Sequence, residues 1–123
     1  MSIDNHILVV EDDRTIRSLM VFGLKNLGYD LTPAQNGQEA MEILKTGTPS
    51  LILLDLYMPQ MDGLRLLSWL RQEKCSDVPV IVVSAAEQEQ DEIFRLGANA
   101  YLPKPVNLDF LTQKIQEYLP APV

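Results

Sequence analysis

Five short aliphatic or β-branched runs recur along the chain, separated by longer stretches whose apolar residues keep helical spacing, and this alternation narrows the possible folds more than any other feature. HILVV (6–10) reads as a buried strand; Ile16, Leu19, Met20, Leu24 and Leu27 then recur at three- and four-residue steps until Gly28 stops the helix. YDLTPA (29–34) is a weaker second strand, because Pro33 has no N–H to give a ladder and suits an edge. NGQEAMEILKTG (36–47) predicts a helix with Ala40, Ile43 and Leu44 on one face, Asn36 as N-cap, Glu39 three residues on, and Gly47 at the stop. LILLD (51–55) is the third strand. After a turn, Leu64, Leu67 and Leu70 line a helix capped by Asp62, and PVIVVS (79–84) is the fourth strand. The polar stretch 86–97 offers only Ile93, Phe94 and Leu96 as anchors, which predicts the least firmly packed helix of the set. AYL (100–102) is a short fifth strand, and Asn107 caps a last helix with Leu108, Leu111 and Ile115 facing inward.

Each such βα unit needs a right-handed crossover and buries its strand on both faces. Five of them imply an α/β fold, a doubly wound five-stranded parallel sheet with helices on both sides. A chain of 123 residues can bury one core of this kind, so 1–119 is read as one domain and PAPV (120–123) as a tail or the start of a linker. Cys75 alone cannot form an internal disulfide, the start lacks the features of a secretory signal, and no apolar run approaches the roughly 20 residues of a membrane span. A cytoplasmic protein without membrane contact is expected. Net charge is −7 and the basic residues are scattered, which argues against direct nucleic-acid binding.

In a doubly wound sheet the ligand site lies beyond the carboxyl ends of the strands. Those ends deliver Glu11, Asp12 and Asp13 after the first strand, Asp55 after the third, Ser84 after the fourth and Lys104 after the fifth. Carboxylates crowded there repel: a like-charge pair at about 4 Å costs about 4 kcal/mol at an effective dielectric near 20. One lysine cannot neutralise them, whereas Mg²⁺ can, binding through a few oxygens and keeping room for phosphate. No histidine or cysteine cluster suits zinc, and the lone His6 falls at the opposite rim. A carboxylate nucleophile beside a cation that also grips phosphoryl oxygens is the arrangement that makes an aspartyl phosphate, with Ser84 and Lys104 as donors to the new charge.

VVEDD, LLDLYMPQMDG, VVSAA and AYLPKP together closely resemble the receiver domain of two-component response regulators, over essentially the whole chain and in order. The resemblance implies a flavodoxin-like fold with strand order 2-1-3-4-5. It also implies that Asp55 is the phosphoacceptor, that Asp12, Asp55 and the backbone carbonyl of Tyr57 bind Mg²⁺ directly, and that Glu11 acts through a metal-bound water. Asp13, one residue past the usual acidic pair, is assigned instead to capping the first helix. Ser84 and Lys104 would hold the phosphoryl oxygens, Tyr101 would be the aromatic that turns inward with Ser84, and Lys104–Pro105 would be a cis peptide. Pro59 and Gly63 read as turn residues that shape the loop under Asp55.

Departures from the family pattern carry expectations too. Bulky Tyr57 and small Ala86 predict slow to moderate self-dephosphorylation. Asn99 and Ala100 stand where one transcription-factor subfamily carries paired acids, so that subfamily's charged dimer face is not expected. The function implied is a switch that takes a phosphoryl group from a histidine kinase or histidine phosphotransfer protein. It then changes its choice of downstream partner or effector through the face of the fourth helix, fifth strand and fifth helix, as a monomer or a phosphorylation-dependent dimer. Such a protein is not an enzyme on a separate substrate; it catalyses only its own phosphorylation and dephosphorylation. Three other readings compete: a metal-dependent phosphatase or phosphotransferase acting on a small substrate, disfavoured because Tyr57 stands where a second Asp is usual; a receiver-like module that no longer accepts phosphate; and a receiver fragment of a larger transcriptional regulator or hybrid kinase.

Overall fold

A computed structural model of the chain describes residues 6–56, 62–85, 90–105 and 107–120. All five expected strands form, as β1 (His6–Val10), β2 (Asp30–Ala34), β3 (Leu51–Leu54), β4 (Val80–Ser84) and β5 (Ala100–Pro103). They pair in parallel in the order β2-β1-β3-β4-β5, the order the resemblance implied. Pro33 lies on the edge strand β2, opposite Val9.

The helices alternate with the strands: α1 (Arg14–Asn26), α2 (Gly37–Thr46), α3 (Gly63–Ser68), α4 (Gln90–Arg95) and α5 (Leu108–Gln116). Successive side chains of a strand point to opposite faces, and the sheet therefore separates two cores. Leu8, Val10, Ile52, Leu54, Val80 and Val82 pack with α2, α3 and α4, while Ile7, Val9, Leu51, Leu53, Ile81 and Val83 pack with α1 and α5. All four expected N-caps are made: Asp13 accepts from Ile16 N at 2.9 Å, Asn36 from Glu39 N at 2.7 Å, Asp62 from Arg65 N at 2.8 Å and Asn107 from Phe110 N at 2.7 Å. Each such bond satisfies an orphan amide and contributes about 1 kcal/mol. Gly28 closes α1 at φ 101°, a left-handed position that costs glycine little.

Four helices differ from expectation in which face they bury; on α5 Leu111 and Ile115 are buried, but Leu108 is exposed. On α1 Met20 and Leu24 are buried, but Leu19 is 65% exposed, Phe22 68% and Leu27 45%. Only a narrow stripe of α1 meets the sheet, and its flank opens toward α5 instead. On α3 the inward residues are Leu66, Leu67 and Leu70, with Leu64 half-buried. Buried Gly63 sets that phase, since 66, 67 and 70 lie three, four and seven residues beyond it. On α4 Ile93 is fully buried, Leu96 half-buried and Phe94 exposed, a thin anchor as the composition predicted. Directly after α3 the helical path widens to π spacing over Trp69–Glu73, with Lys74 N bonded to Trp69 O and Cys75 at φ 56°, which the apolar pattern did not announce.

Candidate acidic site at the carboxyl rim of the sheet

The parallel ladder brings the strand ends to one level. Glu11 N donates to Ala34 O at 3.0 Å and Asp55 N to Val10 O at 2.9 Å, so both residues continue the pairing just past β1 and β3. Lys104 N likewise donates to Ser84 O at 3.0 Å. The backbone thus holds the two carboxylates and the lysine on one rim before any side chain interacts.

Glu11 and Asp55 are buried and Asp12 is exposed, and one carboxylate oxygen from each lies within 4.8 Å of the others. Lys104 Nζ stands 3.0 Å from Glu11 Oε1 and 3.5 Å from Asp55 Oδ1, and donates to Glu11 Oε2 at 3.3 Å. Burial works against the Lys104 ammonium. The Glu11 hydrogen bond and the charges of Asp55 and Glu11 outweigh it, holding the pKa above the usual lysine value. Around these groups opens a depression of about 510 Å³ lined by Glu11, Asp12, Asp13, Asp55, Ala85, Ile16 and Lys104.

The donor set fits Mg²⁺. It consists of oxygens alone, three negative charges face one positive one, and buried Glu11 Oε1, though ion-paired, accepts no hydrogen bond. A hydrated divalent cation would meet both needs. Asp13 lines the mouth but spends its carboxylate on the Ile16 amide, as expected of a cap. Ser84 is fully buried at the end of β4, and Tyr101 donates from its hydroxyl to Ser84 O at 3.0 Å, so the expected switch pair is in contact. The Lys104–Pro105 peptide is cis. Tyr57, Pro59 and Ala86 lie outside the described residues. His6, at the opposite rim, bonds Thr32 Oγ1 at 2.8 Å and takes no part.

Gly63 sits under this rim for a reason other than turning the chain. A Cβ there would lie 2.6 Å from Asp55 O and 2.7 Å from Leu56 Cα, so the start of α3 presses against the backbone that carries Asp55. The flank of α1 opens an apolar hollow of about 900 Å³ toward α5, floored by Val83 and Leu111 and edged by Leu19, Phe22 and Leu108. It shares Ile16 and Lys104 with the acidic mouth. Helical spacing could not reveal it, because periodicity does not say which apolar face lacks a neighbour.

Comparison with known proteins agrees with this geometry. A family model for the response regulator receiver domain matches residues 7–116. The transcriptional regulatory protein KdpE of Staphylococcus aureus is 42% identical over 112 residues, 89% of this chain and 48% of that protein. A probable transcriptional regulator, ycf27, of Cyanidium caldarium is 38% identical over 94% of this chain and 46% of its own length. Among solved structures, the response regulator TrrA of Thermotoga maritima, crystallised in complex with Mg²⁺-BeF, superposes with a TM-score of 0.84 at 32% identity, covering 94% of this chain and 99% of that one. The chain belongs to the response regulator receiver domain family. It spans about half the length of the curated relatives it matches. Among the described residues no helix is long and apolar enough to cross a membrane.

Proposed function

We propose that this domain is a phosphorylation-controlled switch in which Asp55 accepts a phosphoryl group, with Mg²⁺ held by Asp12, Asp55 and the Tyr57 carbonyl and by Glu11 through a water. The observation that carries this reading is the convergence of buried Asp55 with Glu11, Asp12 and Lys104 at one solvent-open mouth. A bound Mg²⁺ would neutralise the carboxylates and draw charge from the phosphoryl oxygens. The donor is a phosphohistidine of a kinase or phosphotransfer protein: an Asp55 oxygen bonds to phosphorus as the phosphorus–nitrogen bond breaks and the imidazole leaves with its electron pair. The apolar hollow beside the mouth gives such a protein a seat next to Asp55.

Ser84 and Lys104 bind the transferred group. Ser84 then draws on Tyr101, changing the face formed by α4, β5 and α5 toward a downstream partner or effector. Phosphorylation moves that equilibrium only by its differential interaction with the two states, and a reversal from 1:99 to 99:1 takes about 5.5 kcal/mol. We take residues 1–119 as the switching unit, 120–123 as a tail or linker start, and the protein as cytoplasmic and without a separate substrate. Incubation with a small phosphodonor and Mg²⁺ tests this. Stable incorporation by the wild type, lost in Asp55→Asn, is expected. Repeated turnover of the donor would indicate a phosphatase, and no incorporation a passive module.

A further inference from the structure

The β1–α1 loop holds two carboxylates of the acidic mouth, and its backbone carbonyls are gripped by one cationic side chain. Arg17, one turn into α1, donates from Nη1 to Glu11 O at 2.7 Å and to Asp12 O at 3.4 Å. Within the loop and the helix start, Asp13 N donates to Glu11 Oε2 at 3.2 Å, Ile16 N to Asp13 Oδ1 at 2.9 Å, and Arg17 N to Asp13 O at 2.9 Å. Glu11 is held at its amide by β2 and at its carboxylate by Lys104. Asp12 is exposed, and the Arg17 bond to its carbonyl ties it to the scaffold.

We infer that Arg17 is a positioning residue for the cation site, acting through the main chain of Glu11 and Asp12 and touching neither metal nor phosphate. This rests on the reading of the mouth as a Mg²⁺ site. Two effects of Arg17 oppose each other. Its positive charge behind three acids weakens cation binding by Coulomb repulsion, which solvent screens near the surface. Its two hydrogen bonds fix the loop in the geometry the cation needs, and bonds to an ionised donor are about twice as strong as neutral ones. Because Arg17 faces the carbonyls and the cation faces the carboxylates, positioning is the larger effect.

Arg17→Gln and Arg17→Lys separate the two, since lysine keeps the charge but its side chain ends one bond short of Nη1. Mg²⁺ affinity measured by calorimetry on the unphosphorylated chain is expected to weaken in both variants by roughly three- to tenfold. Phosphorylation from a small donor should need correspondingly more Mg²⁺ for half-maximal rate while the rate at saturating Mg²⁺ is retained, a split that a general loss of folding would not give. Wild-type affinity in Arg17→Lys, or tighter binding in Arg17→Gln, would overturn the inference and leave Arg17 as a background charge. If the wild type itself takes up no Mg²⁺, the cation site fails first and the positioning role with it.

Discussion

Lys104 pairs with both buried acids of the mouth, and its charge state governs how well the metal-free site holds together. Its folded-state pKa is raised above an unfolded value of about 10.4, so its contribution to stability is complete below that pH and is lost as pH rises through the folded value. Without Mg²⁺, wild type should therefore exceed Lys104→Met in urea midpoint by a constant margin from about pH 7 to pH 10, and the margin should shrink above that. A margin that grew with alkalinity would contradict the ion pairing. Residue types at the strand ends made these groups legible: acids, a serine and a lysine in otherwise oily runs have few reasons to be there. Arg17 was not legible, because a bond to a carbonyl depends on where the backbone lies and leaves no mark in the partner's side chain.

Strands and caps were the most readable elements. Five aliphatic runs could satisfy their backbone only as sheet, and Asp13, Asn36, Asp62 and Asn107 each had a free amide three residues ahead. Helix faces were read less well, since Leu19 and Leu66 differ in burial through neighbours remote in sequence. The α1–α5 contact shows how local that dependence is. Gly23 lies in the middle of α1, and a Cβ there would meet Leu108 Cδ2 at 2.7 Å, the far end of a side chain already 37% exposed. Glycine inside a helix costs about 0.5–1 kcal/mol relative to alanine. Gly23→Ala should thus stabilise the domain by about 0.5 kcal/mol, with Leu108 swinging outward, and by more when Leu108 is also alanine. Urea midpoints at unchanged m would show it, and a net loss would mean that Leu108 cannot move.

At the scale of the molecule, a surplus of seven negative charges meets a mouth where three acids crowd together. Mg²⁺ should stabilise the whole fold by mass action, by about 2.7 kcal/mol at a hundred times its dissociation constant. A melting temperature raised by MgCl₂ but not by NaCl of equal ionic strength would show site binding rather than screening, and the rise should be smaller in Asp55→Asn. The same molecule also carries a record of what inheritance can do to it. Every missense change of one base in a glycine codon installs a residue with a Cβ, and at Gly63 that atom would be driven into the main chain of Asp55 and Leu56. At Gly47 the same substitution would meet nothing within 4 Å. Two codons of identical meaning therefore have opposite fates under random mutation: position 47 can drift, while lineages altered at position 63 lose the seat of Asp55 in a single step.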